Sequence, residues 1–101
     1  MIGSFGDRAT AEHYAGTKMH KKLNQTQAQR ARVLLFSMDD AESLDELKLW
    51  CEPPSLRLHK LKYDRKNYHA IDIDKISGWR ITFIWEGGKF HEVTIEDYHK
   101  K

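Results

Sequence analysis

The sequence has very little cysteine and proline, and it contains no long apolar run. Cys51 is the only cysteine among 101 residues, which excludes an internal disulfide and a zinc site built from several cysteines. The longest apolar run, Val33 to Phe36, is far shorter than the ~20 residues that a membrane-spanning helix needs. The N-terminal residues have neither the basic and apolar regions of a signal peptide nor a glycine directly after Met1 for myristoylation. These absences predict a soluble, cytoplasmic protein with no membrane partner.

Composition and charge further restrict the number of domains and the kinds of partner that the sequence allows. Hydrophobic residues make up 40% of the chain and aromatic residues 11%, which is enough for the interior of one domain spanning residues 1–101. The net charge is only +2, but residues 18–32 and 57–66 are strongly basic, whereas residues 39–52 are acidic. Basic stretches of this kind either bind a polyanion or form solvated surface, and charge alone does not separate these two interpretations.

Before Pro53 and Pro54 the apolar residues follow helical spacing. Asp7 is expected to cap a short helix that continues through Tyr14 and stops at Gly16. A third helical segment is expected over residues 41–49, with Asp40 as its cap. Between them a longer helix is expected to start near Asn24, because one helical face collects Ala28, Ala31, Leu34, Leu35 and Met38.

After the prolines the apolar pattern changes to the alternation of β-strands. Strands are expected at residues 56–59, 68–73, 79–85 and 90–95, and the glycines in Glu86–Lys89 predict a tight hairpin turn between the last two. The connections between the later strands are too short for parallel pairing. Helices followed by an antiparallel meander predict an α+β fold.

The alternation also predicts which polar side chains share a sheet face. If the large apolar side chains of the strand at 79–85 face the helices, Arg80 and Thr82 lie on the opposite face, and the leucines beside His59 place it there too. Histidine titrates near neutral pH and can either remove the proton from an attacking 2′-OH or protonate a departing 5′-oxygen. Arginine and lysine stabilise the charge that develops at the phosphate. Because the 2′-OH is tethered to the phosphate that it attacks, such RNA cleavage needs no metal or other cofactor.

Less specific interpretations apply to most of these residues. A histidine on a strand is more often a surface residue than a catalytic one, and we expect this of His13, His20, His69 and His91. No histidine pair has the spacing of a metal site on a helix or strand. The aromatic residues of the strand at 79–85 are expected to belong to the core rather than to a base-stacking surface, and Tyr98 fits either role.

Several segments, taken together and in order, resemble the HigB toxins of the RelE/ParE superfamily. They are Met1-Ile2-x-Ser4-Phe5, Ser43-Leu44-Asp45-Glu46-Leu47 followed by Pro53-Pro54, Arg57-Leu58-x-x-Leu61-Lys62-x-Asp64-Arg65-Lys66, Trp79-Arg80-Ile81-Thr82-Phe83 and Glu96-Asp97-Tyr98-His99. The chain departs from the family at Tyr63 and near Asn67, where glycine is usual, and residues 73–78 are about two residues longer than usual.

The resemblance implies N-terminal helices packed on a curved antiparallel sheet, and an endoribonuclease that cuts translated mRNA in the ribosomal A site. It also implies a helix-turn-helix antitoxin of the HigA type, which brings the toxin to operator DNA. Carried over position by position, the catalytic residues are His59, Lys62, Arg80, Asp97, Tyr98 and His99. Which of them is the general acid and which the general base stays open.

The basic residues outside this set are expected to contact RNA and the ribosome. Two other functions stay open: a toxin of the ParE type that binds a topoisomerase without cutting RNA, and a non-catalytic domain that binds RNA or a protein. The expected contact residues are Lys18, Lys21, Lys22, Arg30, Arg32, Arg57, Lys60, Arg65 and Lys66.

Overall fold

The computed structural model describes residues 1–50, 58–61, 67–74 and 78–97. Within them, three helices precede a four-stranded sheet in the order β1-β2-β3-β4, with every neighbouring pair antiparallel. This arrangement confirms the predicted α+β class. The elements are α1 Arg8–Ala15, α2 Gln25–Asp40, α3 Leu44–Trp50, β1 His59–Lys60, β2 Tyr68–Asp74, β3 Trp79–Glu86 and β4 Lys89–Asp97.

The first two helices begin and end where local chemistry predicts. The Asp7 side chain accepts a hydrogen bond from the Thr10 backbone N–H, and α1 stops at Gly16, whose φ of 81° is left-handed. Asn24 and Gln27 form a reciprocal capping box at the start of α2. These contacts satisfy backbone groups that a helix end leaves open, so the two predicted starts are confirmed.

The third helix starts later than predicted, and its predicted cap was wrong. Asp40 is the last residue of α2, and the Ala41 backbone N–H still bonds to the Ser37 carbonyl. The Ser43 hydroxyl instead accepts from the Glu46 backbone N–H at 3.0 Å and so caps α3. The fully buried Ala41 is the C-cap residue of α2 and does not belong to α3.

The core lies between the helices and one face of the sheet. The register aligns Ile71, Ile81 and Ile95 in one row across β2, β3 and β4, and they pack in a cluster with Leu35 and Met38 of α2. All five side chains are at least 97% buried, with relative exposures of 3% or less. The opposite sheet face therefore carries the residues that alternate with these isoleucines.

The predicted strands at 68–73, 79–85 and 90–95 are confirmed, whereas the first strand is His59–Lys60 and overlaps the predicted 56–59 only at His59, since Leu58 lies outside it. Gly87 and Gly88, with φ of 61° and 80°, form the hairpin turn between β3 and β4. Residues 56 and 57 of the first predicted strand lie outside the described residues. In the stretch that is longer than usual, Ile73 and Asp74 continue β2, Gly78 has a left-handed φ of 87°, and residues 75–77 lie outside the described part.

Residues 1–6 form an extended segment that pairs with β4 in the parallel sense, and the sequence patterns did not predict it. Bridges join Ile2 to Phe90 and Phe5 to Val93, with four backbone hydrogen bonds of 2.7–3.1 Å between the segments. The approach is close, since a Cβ atom at Gly6 would lie 2.0 Å from the Thr94 hydroxyl oxygen. A side chain at this position would have to displace Thr94, so glycine is the residue that fits the close approach.

A β-bulge at Glu92 changes the register halfway along β4. Glu92 has a φ of 51°, the only positive value at a non-glycine residue in the described part of the chain. On the turn side of the bulge Ile84 pairs with His91, and beyond it Thr82 pairs with Thr94. An extra residue in one strand turns the side chains that follow it to the other face, so the bulge decides which face the end of β4 presents.

No helix in the described part of the chain is long and apolar enough to cross a membrane.

Candidate active site

His59 and Arg80 lie on the same face of the sheet, opposite the helices. His59 pairs with Ala70, which pairs with Thr82, so these residues form one row across three strands. Arg80 lies two residues along β3 from Thr82, in the adjacent row of the same face. Partners across an antiparallel sheet point to the same side. The register therefore confirms the shared face that the alternation predicts.

The spacing of this pair suits a substrate held between them. Two strand spacings and two residues along a strand separate the Cα atoms of His59 and Arg80 by roughly 12 Å. Both side chains extend several ångströms from the backbone, so they can reach a common phosphate group from two directions. The sheet thus places an imidazole and a guanidinium cation around one position.

Arg80 is held in place by its neighbours on β3 and β4. Its guanidinium lies 3.7 Å from one carboxylate oxygen of Glu96, and the other oxygen accepts a 2.6 Å hydrogen bond from the Thr82 hydroxyl. The bulge at Glu92 makes this possible, because beyond it Arg80 pairs directly with Glu96. A carboxylate fixed at both oxygens restricts the rotation of the arginine that it contacts, so the cation is oriented before any substrate binds.

The centre of this sheet face is buried. Thr82 has no exposed area, Asp72 retains 7% and the Arg80 side chain 13%. The predicted sheet face of Arg80 is therefore confirmed, and on that face the arginine is mostly enclosed. Since burial lowers the local dielectric, the charge of Arg80 acts more strongly on a nearby phosphate than it would in water.

The other predicted catalytic residues are distributed differently. Asp97 pairs with Trp79 and follows Ile95 by two residues, which puts it on the helix-facing side rather than beside Arg80. Lys62, Tyr98 and His99 lie outside the described residues. The structure thus brings His59 and Arg80 together and places Asp97 at the end of the sheet on its other face.

The predicted contact residues also divide into groups. Lys18, Lys21, Lys22 and Arg30 are exposed on the helical half, and Lys60 is exposed on β1. Arg32 instead donates from its Nε to the Tyr14 carbonyl at 3.3 Å and lies 5.1 Å from the centre of the Phe36 ring. It therefore fastens α1 to α2. Arg57, Arg65 and Lys66 lie outside the described residues.

Two other histidines, His13 and His69, make contacts within the fold. His13 is buried; its Nδ1 accepts from the His20 backbone N–H at 3.0 Å, so its Nε2 carries the proton given to the Ala28 carbonyl. The His69 ring stacks on Phe83, and burial, followed by the charges of Lys60 and Lys48, lowers its pKa. The expectation of a surface position is therefore wrong for His13, which is buried. His69 is half-buried against Phe83. Within the described residues, no group of three or more histidine, cysteine, aspartate or glutamate side chains could hold a metal ion.

Glu96 is the site residue that the sequence patterns did not identify, although it stands in the closing Glu96-Asp97-Tyr98-His99 segment. The signal that reveals it is the spacing of the buried residues Phe90, Val93 and Ile95. Strict alternation would place apolar residues two apart, and the interval of three between Phe90 and Val93 marks the extra residue of the bulge.

Comparison with known proteins agrees with this architecture. No curated protein sequence matches the chain. The family of HigB-like toxins, described as RelE-like toxins of type II toxin–antitoxin systems, matches residues 3–99. That match covers both the helical half and the whole sheet, including the rows that hold His59 and Arg80. The chain therefore belongs to the HigB-like family of RelE-like toxins of type II toxin–antitoxin systems.

Proposed function

We propose that this toxin is an endoribonuclease that cuts mRNA on the translating ribosome. The observation that carries the proposal is the shared sheet face of His59 and Arg80, with Arg80 oriented by Glu96. A toxin that acts only by binding a protein has no need of an imidazole beside an enclosed, oriented cation.

The proposed reaction is attack by a ribose 2′-oxygen on the adjacent phosphorus. A base removes the 2′-OH proton as the new O–P bond forms, and the bond from phosphorus to the 5′-oxygen breaks. An acid protonates the departing 5′-oxygen, which leaves a 2′,3′-cyclic phosphate and a 5′-hydroxyl. No water or cofactor is consumed, and the tethered nucleophile supplies much of the rate by proximity.

The chemistry of each side chain decides whether we assign it to charge stabilisation or to proton transfer. Arg80 neutralises the charge that develops on the phosphate oxygens, which is where an oriented, enclosed donor contributes most. His59 and His99 are the proposed proton-transfer groups, while Lys62 and Tyr98 lie close to them in sequence and add charge or a hydroxyl donor. Glu96 touches no reacting atom in this scheme; it positions Arg80.

The partners follow from the same scheme. As a type II toxin, the protein has a cognate antitoxin; we propose one of the helix-turn-helix HigA type, which carries the complex to operator DNA. The exposed lysines of the helical half are proposed to contact phosphates of the ribosome. The site of action is then the cytoplasm, where mRNA is translated.

The test is primer extension on mRNA taken from cells after induction of the toxin. Wild-type protein is expected to produce cuts inside translated frames, and Arg80→Ala is expected to abolish them. Lys89→Gln, which removes an exposed positive charge from the hairpin far from Arg80, is the matched control and should cut normally. Intact message accompanied by DNA damage would instead support a toxin that acts on a topoisomerase, and would refute the nuclease.

A further inference from the structure

The solvent-facing side of α2 carries two large apolar side chains. Five large hydrophobic residues are exposed in the described part of the chain, and two of them, Val33 and Phe36, lie one helical turn apart on this helix. Their exposed fractions are 62% and 49%. Single exposed apolar residues are ordinary, but neighbouring ones beside polar groups mark a contact surface. The proposed cleavage scheme does not use this surface, which faces away from the sheet.

The fold does not need Val33 and Phe36 as core residues. Phe36 packs sideways against Tyr14 of α1, with 4.9 Å between the ring centres. A polar residue at position 33 or 36 would leave the buried face of α2 unchanged, so the core alone does not explain the apolar side chains there. That buried face consists of Gln27, Ala28, Ala31, Leu34, Leu35 and Met38.

Beside Phe36 the surface is concave. A cleft of about 420 Å³ is lined by Tyr14, Phe36, Ser37, Asp39 and Asp40. The two rings supply apolar surface, and the two aspartates supply negative charge. This combination suits a side chain with an apolar stem and a positive end, which can pack its stem on the rings and pair its charge with a carboxylate.

The negative charge lies at the C-terminal end of α2. The last turn of the helix contains Asp39 and Asp40 and no basic residue, although a helix C-terminus favours cations. Both carboxylate oxygens of Asp39 accept hydrogen bonds within the fold, and the Met1 amino group donates to the Ala41 carbonyl. Asp40 is exposed. A positive side chain from a partner would therefore pair with Asp40 and would also be favoured by the helix end.

We propose that Val33, Phe36 and Asp40, with the cleft beside them, form a docking site for a helix of the cognate antitoxin; we call these residues the α2 patch. The antitoxin helix places an apolar side chain on Val33 and Phe36 and an arginine in the cleft, with its guanidinium at Asp40. Arginine fits because it stacks on aromatic rings and pairs with carboxylates through a planar fork. Phe36 and Asp40 are about 6 Å apart along the helix axis, so the two antitoxin residues are also one helical turn apart.

The partner follows from the family and from charge. A type II toxin has a cognate antitoxin, and helices commonly dock through apolar residues at helical spacing. RNA is a poorer occupant, because its phosphates would be repelled by the two aspartates. The basic residues proposed to contact the ribosome lie elsewhere, in the loop before α2 and in its first half, at Lys18, Lys21, Lys22 and Arg30. This inference does not depend on the proposed nuclease.

The test measures the affinity of purified toxin variants for the purified cognate antitoxin by titration calorimetry. Phe36→Ala is expected to weaken binding about 30-fold, which is typical of a central aromatic anchor. Val33→Gln should weaken it about tenfold through lost apolar burial. Asp40→Asn should also cost about tenfold and should reduce the dependence of the affinity on salt.

Two matched controls change the same chemistry outside the α2 patch. Met19→Gln replaces another apolar side chain, 56% exposed, in the loop before α2. Glu86→Gln removes an exposed carboxylate at the β3–β4 hairpin. Both should bind the antitoxin like wild type. Amide hydrogen exchange adds a direct readout, since residues 33–40 should exchange more slowly in the complex and residues 86–89 should not change.

A melting curve accompanies each variant, because Phe36 also contacts Tyr14 and Arg32. If Phe36→Ala fails to fold, Val33→Gln and Asp40→Asn decide the question. Both replace exposed side chains, and changes of that kind seldom alter stability by more than about 0.5 kcal/mol.

The outcomes separate the docking site from the nuclease. Weaker antitoxin binding by the α2-patch variants of a toxin that cuts no mRNA would refute the nuclease and keep the docking site. Wild-type affinity in both Val33→Gln and Asp40→Asn would overturn the docking site and leave the nuclease standing. Sedimentation of the isolated toxin tests the other occupant: a dimer that Val33→Gln dissociates would assign the patch to a second copy of the chain and overturn the proposal.

Discussion

Replacing Tyr14 with phenylalanine isolates one hydroxyl that fastens the N-terminal segment to the helices. The Tyr14 hydroxyl donates to one Asp39 carboxylate oxygen at 2.8 Å, and the other oxygen accepts from the Ile2 backbone N–H at 3.0 Å. The aromatic ring also contacts Phe5 and Phe36. Phenylalanine keeps those ring contacts, so the substitution removes only the hydrogen bond.

The size of the effect follows from the acceptor and its surroundings. A hydrogen bond to a charged acceptor contributes about 1.5–3 kcal/mol when well enclosed. Tyr14 and Asp39 are only partly buried, and solvent screening reduces the expected loss to about 1 kcal/mol. For a domain of this size, that loss lowers the melting temperature by roughly 4–8 °C.

The same contact predicts how the loss depends on pH. Burial, and then the hydrogen bond to Asp39, raise the pKa of Tyr14 to about 12, so its contribution is complete below pH ~10 and disappears as the pH rises toward that value. The pKa of Asp39 is lowered mainly by the hydrogen bond from the Ile2 N–H, with a smaller contribution from the Tyr14 hydroxyl. Burial acts in the opposite direction but is the weaker effect. That contribution is present above the ordinary aspartate pKa near 4 and is lost as the pH falls through the lowered value. The difference between wild type and Tyr14→Phe should therefore be greatest from about pH 5 to 9.

Urea unfolding of both proteins at several pH values measures this difference. Asp39→Asn should cost at least as much as Tyr14→Phe, and the double variant should lose less than the sum of the two single losses, because the residues share one contact. Asp40→Asn removes the adjacent exposed carboxylate and is the control, with an effect within about 0.5 kcal/mol. A loss for Tyr14→Phe that is additive with Asp39→Asn, or that does not change with pH, would refute the assigned contact.

Three further changes test other parts of the molecule. His99→Ala should reduce mRNA cutting by ~10²–10⁴-fold if this residue transfers a proton, with a melting temperature close to wild type; normal cutting by a folded variant would remove it from the site. Neutralising Lys18 and Arg30 together should weaken ribosome binding. The slope of the logarithm of the binding constant against the logarithm of the salt concentration should become shallower by roughly 0.7–0.9 per lost phosphate contact. A fall in the cleavage rate of bound complexes with unchanged binding would contradict that role. Gly6→Ala should destabilise the fold by about 1–3 kcal/mol through overpacking, because the new methyl group meets the Thr94 hydroxyl. The loss should be smaller in a Thr94→Ala background. Equal losses in both backgrounds would show that the clash lies elsewhere.

The sequence predicted those parts of the fold that local chemistry determines. The starts of α1 and α2 depend on side chains within three residues of the backbone groups that they cap, and Asp7 and Asn24 are visible as such in the sequence. The alternation in β3 depends only on which residues must be buried, and it correctly placed Arg80 on the face opposite the helices. The leucines beside His59 correctly placed that residue on the same face. The start of α3 was not determined in this way, because Asp40 and Ser43 are both competent caps and packing chose between them.

The parts that sequence patterns did not predict depend on long-range pairing. If β4 had no extra residue, the register set at the Gly87–Gly88 turn would pair Arg80 with Ile95. Glu96 would then lie on the helix-facing side of the sheet, away from Arg80. The left-handed backbone at Glu92 corrects the register, and no local rule requires that conformation at a glutamate. The pairing of residues 1–6 with β4 joins the two ends of the chain, and short extended segments of this kind carry no period of their own.

That pairing has a consequence for how a cell makes this protein. The Ile95 backbone N–H donates to the Thr10 hydroxyl, a residue 85 positions earlier in the chain. Residues 1–6 also pair with β4, so they cannot form their contacts until that strand has been made. Synthesis at about 5–20 residues per second means that the beginning of the chain is made several seconds before its partner exists. During that interval the sheet lacks β4 and with it Glu96, the carboxylate that orients Arg80. The N-terminal segment and the start of α1 therefore complete their contacts only late in synthesis, once β4 has been made.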